Sequence, residues 1–202
     1  MRKYLFSFAF LFGLICLGQN NEAYDSSIFA YQTELNNEYK NPEKSPLEKK
    51  DLKSFTGLAF FPIDEKYKVT AKVVRTPDTE PFNMPTTIPR SAVHWKYADL
   101  VFEIEGIEYT LEVYQSESLM KMEEYADYLF LPFLDKTNGE GSYAGGRYIE
   151  LRLPEGDTIE IDFNKAYNPY CAYSSRYSCP IVPRQNRLAT RIEAGVMAWD
   201  KH

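Results

Sequence analysis

The chain has 202 residues, with 23 Lys or Arg against 29 Asp or Glu, a formal net charge of -6 and an apolar fraction of 44%. That length fits one domain of ordinary size with a substantial core. An acidic chain without basic clusters argues against nucleic acid or an anionic lipid surface as its partner.

Met1-Arg2-Lys3 is a short basic start, followed by an apolar and aromatic stretch from Tyr4 to Leu17 and then polar Gln19-Asn20-Asn21-Glu22. This is the pattern of a secretory signal peptide. The run is shorter than the roughly 20 residues that span a bilayer core, so no retained membrane span is expected. Small residues at Cys16 and Gly18 suit cleavage after Gly18, which leaves residues 19–202 as a single exported domain, periplasmic or secreted. Lipidation at Cys16 is the weaker reading, because Gly13-Leu14-Ile15 lacks the small residue a lipobox places just upstream. Cleavage removes Arg2 and Lys3 and no acid, so the mature charge becomes -8, with 21 basic against 29 acidic residues.

A helix is predicted from Asp25, with Asp25 as cap and Ile28, Tyr31, Leu35 and Tyr39 at three- and four-residue spacing, ending at Asn41-Pro42. Glu43 to Lys53 is charged and reads as a solvated connection. Beyond it the period becomes two. Val69, Ala71 and Val73 alternate with polar neighbours, as do Ile107, Tyr109, Leu111 and Val113. Only Glu105-Gly106 separates Ile104 from Ile107, which predicts a two-residue hairpin pairing Phe102 with Tyr109 and Leu100 with Leu111. A second hairpin is expected between Ile149-Leu151-Leu153 and Ile159-Ile161-Phe163, with Pro154 to Gly156 as an odd loop that keeps both apolar faces inward. Pro77, Pro81, Pro85 and Pro89 forbid regular ladders from Arg75 to Arg90 and predict a long ordered loop or lid. No repeat recurs at a fixed period.

The densest polar segment runs from Phe133 to Leu188. The blocks FLDKTNG, YAGGRY, IDFNKAYNPYCAY, SCP and QNRL, in that order, resemble the bacterial family described as domain of unknown function 1684 (DUF1684). The likeness is strong over the C-terminal third and looser elsewhere. Ala144 stands where that family usually has a third Gly, and Tyr170 where it often has a second Pro. The resemblance implies no particular activity.

The residues themselves offer several readings. Cys171 and Cys179, the cysteines left after cleavage, suggest a disulfide closing a small loop. A metal centre is poorly supplied, with only His94 and His202 in the chain, and no His near either cysteine in sequence marks a reactive thiol. Arg147, Asp162 and Asn164 are expected to converge at one end of the second hairpin, as an ion pair with a turn or as a pocket that grips a carboxylate or phosphate. Tyr143, Gly145, Gly146, Tyr167, Asn168, Tyr173 and Arg187 complete the candidate ligand-binding set. Gly145-Gly146 more often marks a bulge than a phosphate loop. Neither a G-x-S-x-G elbow nor an H-E-x-x-H pair occurs, and His94 beside Trp95 reads as a packed side chain. For a hydrolase, Asp135 with Asp162 or Glu150 remain by elimination.

With 16 Tyr and 15% aromatic residues, the chain suits half-buried strand faces and a stacking surface for ring-bearing ligands. The expected fold is mainly β, a single antiparallel barrel or sandwich behind one N-terminal helix, with the cysteine loop and the Gly-Gly strand lining a shallow pocket. The expected function is binding of a small polar or ring-bearing molecule outside the cytoplasm. A hydrolase using acidic residues and a structural envelope protein are the alternatives. The residues name no cofactor.

Overall fold

The computed structural model describes residues 11–199, with side chains from residue 22 onward. The leader read over residues 1–18 falls outside those residues, apart from helical backbone that begins at Leu11. Helix α1 spans Leu11–Lys40. Ile28 and Tyr39 are fully buried along it and Tyr31 and Leu35 half-buried, so the three- and four-residue spacing faces the body as expected. Asp25, predicted as the cap, is exposed within the helix because the backbone before it is already helical. The helix stops before Asn41. The connection after it is less solvated than its charge suggests: Ser45, Pro46 and Leu47 are buried, and Leu47 packs with Tyr39 and Tyr173.

Seven strands form one antiparallel, curled sheet, a half-barrel: β1 (Lys68–Arg75), β2 (Phe82–Asn83), β3 (Val93–Ile104), β4 (Ile107–Ser116), β5 (Tyr128–Phe133), β6 (Arg147–Arg152) and β7 (Thr158–Asp162). The spatial order is β6-β5-β4-β3-β1-β7, with β2 beside β3. The β3–β4 hairpin has the predicted register, Phe102 opposite Tyr109 and Leu100 opposite Leu111. Its turn places Glu105 at φ 51° and Gly106 at φ 77°, the primed geometry that matches strand twist. The Arg75–Arg90 prolines leave room only for two-residue β2, but Met84 is buried, so the segment is an ordered strap.

The second hairpin does not form. β6 pairs with β5, Leu131 opposite Ile149, and β7 pairs with β1, Val69 opposite Ile161, at opposite ends of the sheet. Ile149 and Ile161 still face the same core, so the alternation was correct and the partner wrong. The physical reason lies in β5, YLFLPF, buried at all six positions: an interior strand needs a hydrogen-bonded neighbour along each edge, and β4 supplies one and β6 the other.

The main core includes Leu100, Leu111, Leu129, Leu131, Ile149 and Ile161 on one face of the sheet. A smaller core on the other face gathers Met84, Tyr114, Tyr128, Phe130, Tyr148 and Val182. A bulge between Lys96 and Ala98 resets the alternation of β3, so His94 opposes Ser116 and Lys96 opposes Tyr114 on this second face.

Candidate functional site

Arg147 begins β6 and is 0% exposed. Its Nη2 donates to Asp135 Oδ2 at 2.8 Å and to the Ile192 carbonyl at 2.8 Å, and its Nη1 donates to the Ala194 carbonyl. Asp135 Oδ1 accepts from the Thr137 and Ile192 amides at 2.7 and 3.2 Å. The rings of Phe133 and Phe61 flank the guanidinium at 5.2 and 5.7 Å. Burial pulls Arg147 below its ordinary value, and the Asp135 carboxylate works against that. The arginine is thus committed to tying β6 to the C-terminal segment, and its partner is Asp135 instead of the expected Asp162.

Asp162 and Asn164 form a separate network. Tyr24 of α1 donates to Asp162 Oδ1 at 3.0 Å and accepts from Asn164 Nδ2 at 2.8 Å, while Asn164 Oδ1 accepts from the Asp64 amide at 3.1 Å. These bonds staple α1 to the end of β7. Asn168 Nδ2 bonds to the Met197 carbonyl at 2.9 Å beside fully buried Tyr173, and Arg187 is exposed after Asn186, which bridges Glu112 and Pro132 at 2.7 Å each. Asp135 and Asp162 therefore serve different closed networks, and Glu150 accepts from Tyr167 at 2.9 Å.

Gly146 sits at φ +92°, and a Cβ there would lie 2.7 Å from the Phe133 carbonyl, so the backbone itself requires a glycine. Gly145 lies under the Tyr143 ring, where a Cβ would meet Cε1 at 2.5 Å. Tyr143 in turn reaches Cys171, its hydroxyl 3.9 Å from Sγ. Cys171 and Cys179 are free thiols, in place of the expected disulfide, but they are neighbours: the Cys171 amide donates to Cys179 Sγ at 3.2 Å.

An aromatic-lined concavity lies on the second face of the sheet. A cleft of about 260 Å³ is lined by Arg90, His94, Ser116, Ser118, Leu119, Tyr128, Phe130, Tyr148, Tyr167 and Pro180. Strand alternation builds it, since His94 and Ser116 oppose each other, Tyr114 beside them opposes Phe130, and Tyr148 opposes Pro132. Phe130 and Tyr148 meet edge to face at 4.7 Å, and Tyr148 and Tyr167 at 5.9 Å. The Tyr148 hydroxyl donates to the Pro180 carbonyl, fixing the cysteine-bearing loop as one wall.

His94 is the polar centre of the cleft. Its Nδ1 lies 2.7 Å from the Ala92 carbonyl, which can only accept, so Nδ1 carries the ring proton. Burial lowers His94 below its ordinary 6.5; the Ala92 bond offsets part of this and the Arg90 charge adds to it. The ring is neutral at pH 7, and Nε2 is an unprotonated acceptor that no described residue bonds. The Ser116 and Ser118 hydroxyls lie 3.0 Å apart beside it, and Arg90 stands at the rim with Nη2 on the Ser178 carbonyl at 3.3 Å. Of the ligand-binding residues named from sequence, only Tyr167 lines this cleft. A smaller cavity of about 190 Å³ lies on the other side of Tyr167, against Tyr31 and Tyr39 of α1.

Among the described residues, no group of three or more His, Cys, Asp or Glu is arranged to hold a metal, and no helix is long and apolar enough to cross a membrane. No curated protein matches the sequence. A solution structure of an uncharacterized protein from Haloarcula marismortui is similar, with 34% identity and a TM-score of 0.67 over 89% of this chain and 96% of that one. The model of the family described as protein of unknown function DUF1684 matches residues 53–197, which include every strand of the sheet and both walls of the cleft. The chain belongs to the DUF1684 family.

Proposed function

We propose that the protein binds, outside the cytoplasm, a small ring-bearing molecule that carries a hydrogen-bond donor and an anionic group, in the cleft of Arg90, His94 and Tyr148. The observation that carries this reading is the neutral His94 in the lining of an aromatic-walled cavity, its Nε2 an acceptor that no described residue bonds. Phe130, Tyr148 and Tyr167 offer ring edges and faces, Nε2 accepts a ligand N–H or O–H, and Arg90 attracts negative charge at the rim. The volume of about 260 Å³ suits a small ligand.

A direct test is titration with 4-hydroxybenzoate, which joins a phenolic donor, a ring and a carboxylate, followed by amide and His94 ring signals in NMR. Saturable shifts at His94, Ser116 and Tyr148 are expected, weakened at least about tenfold in His94→Ala, the loss of one good polar contact in a desolvated site. Unsaturable shifts, or shifts that ignore the cleft, overturn the reading.

Export after Gly18 belongs to the same proposal. It is supported by the basic start and apolar stretch, and by the fact that the docking side chains of α1, from Tyr24 onward, lie beyond the cleavage point. In an oxidising compartment Cys171 and Cys179 close their loop, adding about 2–3 kcal/mol on the chain-entropy model. Intact mass of the exported protein is expected to begin at Gln19 and to rise by two hydrogens on reduction. A mass that retains Met1 to Gly18 sinks export.

A further inference from the structure

We propose that Cys171 and Cys179 form a dithiol redox site, in which Cys171 is the attacking thiolate and Cys179 the resolving thiol toward organic hydroperoxides. The site stands apart from the cleft's ligand and rests on its own geometry. Cys171 is half-exposed while Cys179 is buried, so an oxidant meets Cys171 first. The Tyr143 hydroxyl sits 3.9 Å from Cys171 Sγ, and the Cys171 amide holds Cys179 Sγ at 3.2 Å, close to the sulfur it must reach.

Electrostatics divide the roles in the same way. The hydrogen bond from Cys179 lowers Cys171 to about 6, with Tyr143 and Thr87 adding to it against the cost of burial. Burial and the charge on Cys171 push Tyr143 up to about 12, so the phenol keeps its proton and remains a donor. The hydrogen bond to Cys171 and burial push Cys179 up, so this thiol stays protonated until it is called on. A half-exposed thiolate beside a protonated partner thiol is the arrangement that oxidant-sensing cysteines share.

The Cys171 thiolate attacks the terminal, hydrogen-bearing peroxide oxygen, the O–O bond breaks, and the leaving alkoxide takes up the proton that Cys171 had released to solvent, giving an alcohol and Cys171 sulfenic acid. Cys179 then attacks the Cys171 sulfur. The S–O bond breaks, and hydroxide leaves with the Cys179 proton as water. Two thiols are oxidised to a disulfide while one peroxide is reduced, and an external thiol restores the pair.

The test uses the exported protein from Gln19, whose cysteines are Cys171 and Cys179, reduced and then exposed to stoichiometric tert-butyl hydroperoxide. Wild type is expected to lose two hydrogens reversibly, Cys179→Ser to trap dimedone on Cys171, and Cys171→Ser to trap none. Iodoacetamide is expected to label Cys171 at least about tenfold faster than Cys179 at pH 7, because only the thiolate reacts. Gly145→Ala supplies a variant that leaves both sulfurs in place: its Cβ displaces the Tyr143 ring and is expected to shift the Cys171 alkylation midpoint upward. Two thiols that survive the peroxide, or faster labelling of Cys179, overturn the proposal. Peptide mapping of wild type separates these outcomes even if a cysteine variant fails to fold.

Discussion

His94 shows how one backbone carbonyl decides the chemistry of a side chain. Because Ala92 accepts from Nδ1, Nε2 must be the bare nitrogen, and because burial opposes the cation, it stays bare at neutral pH. With the folded-state value below the ordinary 6.5, the unfolded chain binds the extra proton first as pH falls. The His94 contribution to stability is thus full above about 6.5 and is lost as pH drops toward the folded-state value. His94→Gln is expected to cost about 1–2 kcal/mol at pH 8, through the lost Ala92 bond and ring packing. That cost should shrink at pH 5, because the wild type alone carries the penalty of protonating a buried imidazole. Urea melts of both proteins at the two pH values measure it, and a cost that grows on acidification contradicts the assignment. Ligand affinity in the cleft should fall over the same range, since protonated Nε2 no longer accepts.

The β3–β4 hairpin was legible in the sequence because everything that specifies it is local: two alternating runs and a two-residue turn. The same alternation gave the right faces for Ile149 and Ile161 but not their partners, since pairing across the sheet depends on what β5 and β1 offer. The candidate site was illegible for a related reason. Arg147 and Asp162 are close in the sequence pattern, yet Arg147 found Asp135, Ile192 and Ala194, which no spacing rule connects. The cleft was hidden behind the bulge at Tyr97, which moves His94 onto the face of Ser116 and Phe130. The turn itself carries a correctable strain. Glu105 occupies φ 51°, a region that costs a non-glycine residue about 1 kcal/mol or more and that Asn tolerates best. Glu105→Asn is expected to raise stability by up to about 1 kcal/mol, losing only an exposed 4.0 Å contact with Lys66. A thermal melt with no gain, or a loss, shows that the turn is not relieved by a residue suited to it.

The cleft and the thiol pair share one clasp, formed where the strap after β2 meets the loop that carries Cys179. The Thr87 amide donates to the Cys179 carbonyl at 2.9 Å, the Cys179 amide donates to Thr87 Oγ1 at 3.0 Å, and the Ile181 amide donates to the Pro85 carbonyl at 2.7 Å. Arg90 on the strap and Pro180 on the loop both line the cleft, so these bonds hold that side of it in place. The clasp lies outside the main core, whose strands are held by long ladders and by Leu100, Leu111 and Leu131 at 0% exposure. Pro85, Thr87 and Ile181 are themselves exposed, and partly exposed hydrogen bonds mark a region that opens below the global unfolding energy. Thr87→Ala removes one acceptor from the clasp and is expected to cost about 0.5–1.5 kcal/mol locally. Native-state hydrogen exchange should then show faster amides at Cys179 and Ile181, with β3 and β4 amides unchanged, and weaker binding of 4-hydroxybenzoate. If the β3 and β4 amides accelerate together with the clasp, the two regions unfold as one unit, and the state of the thiols cannot reach the cleft independently of the core.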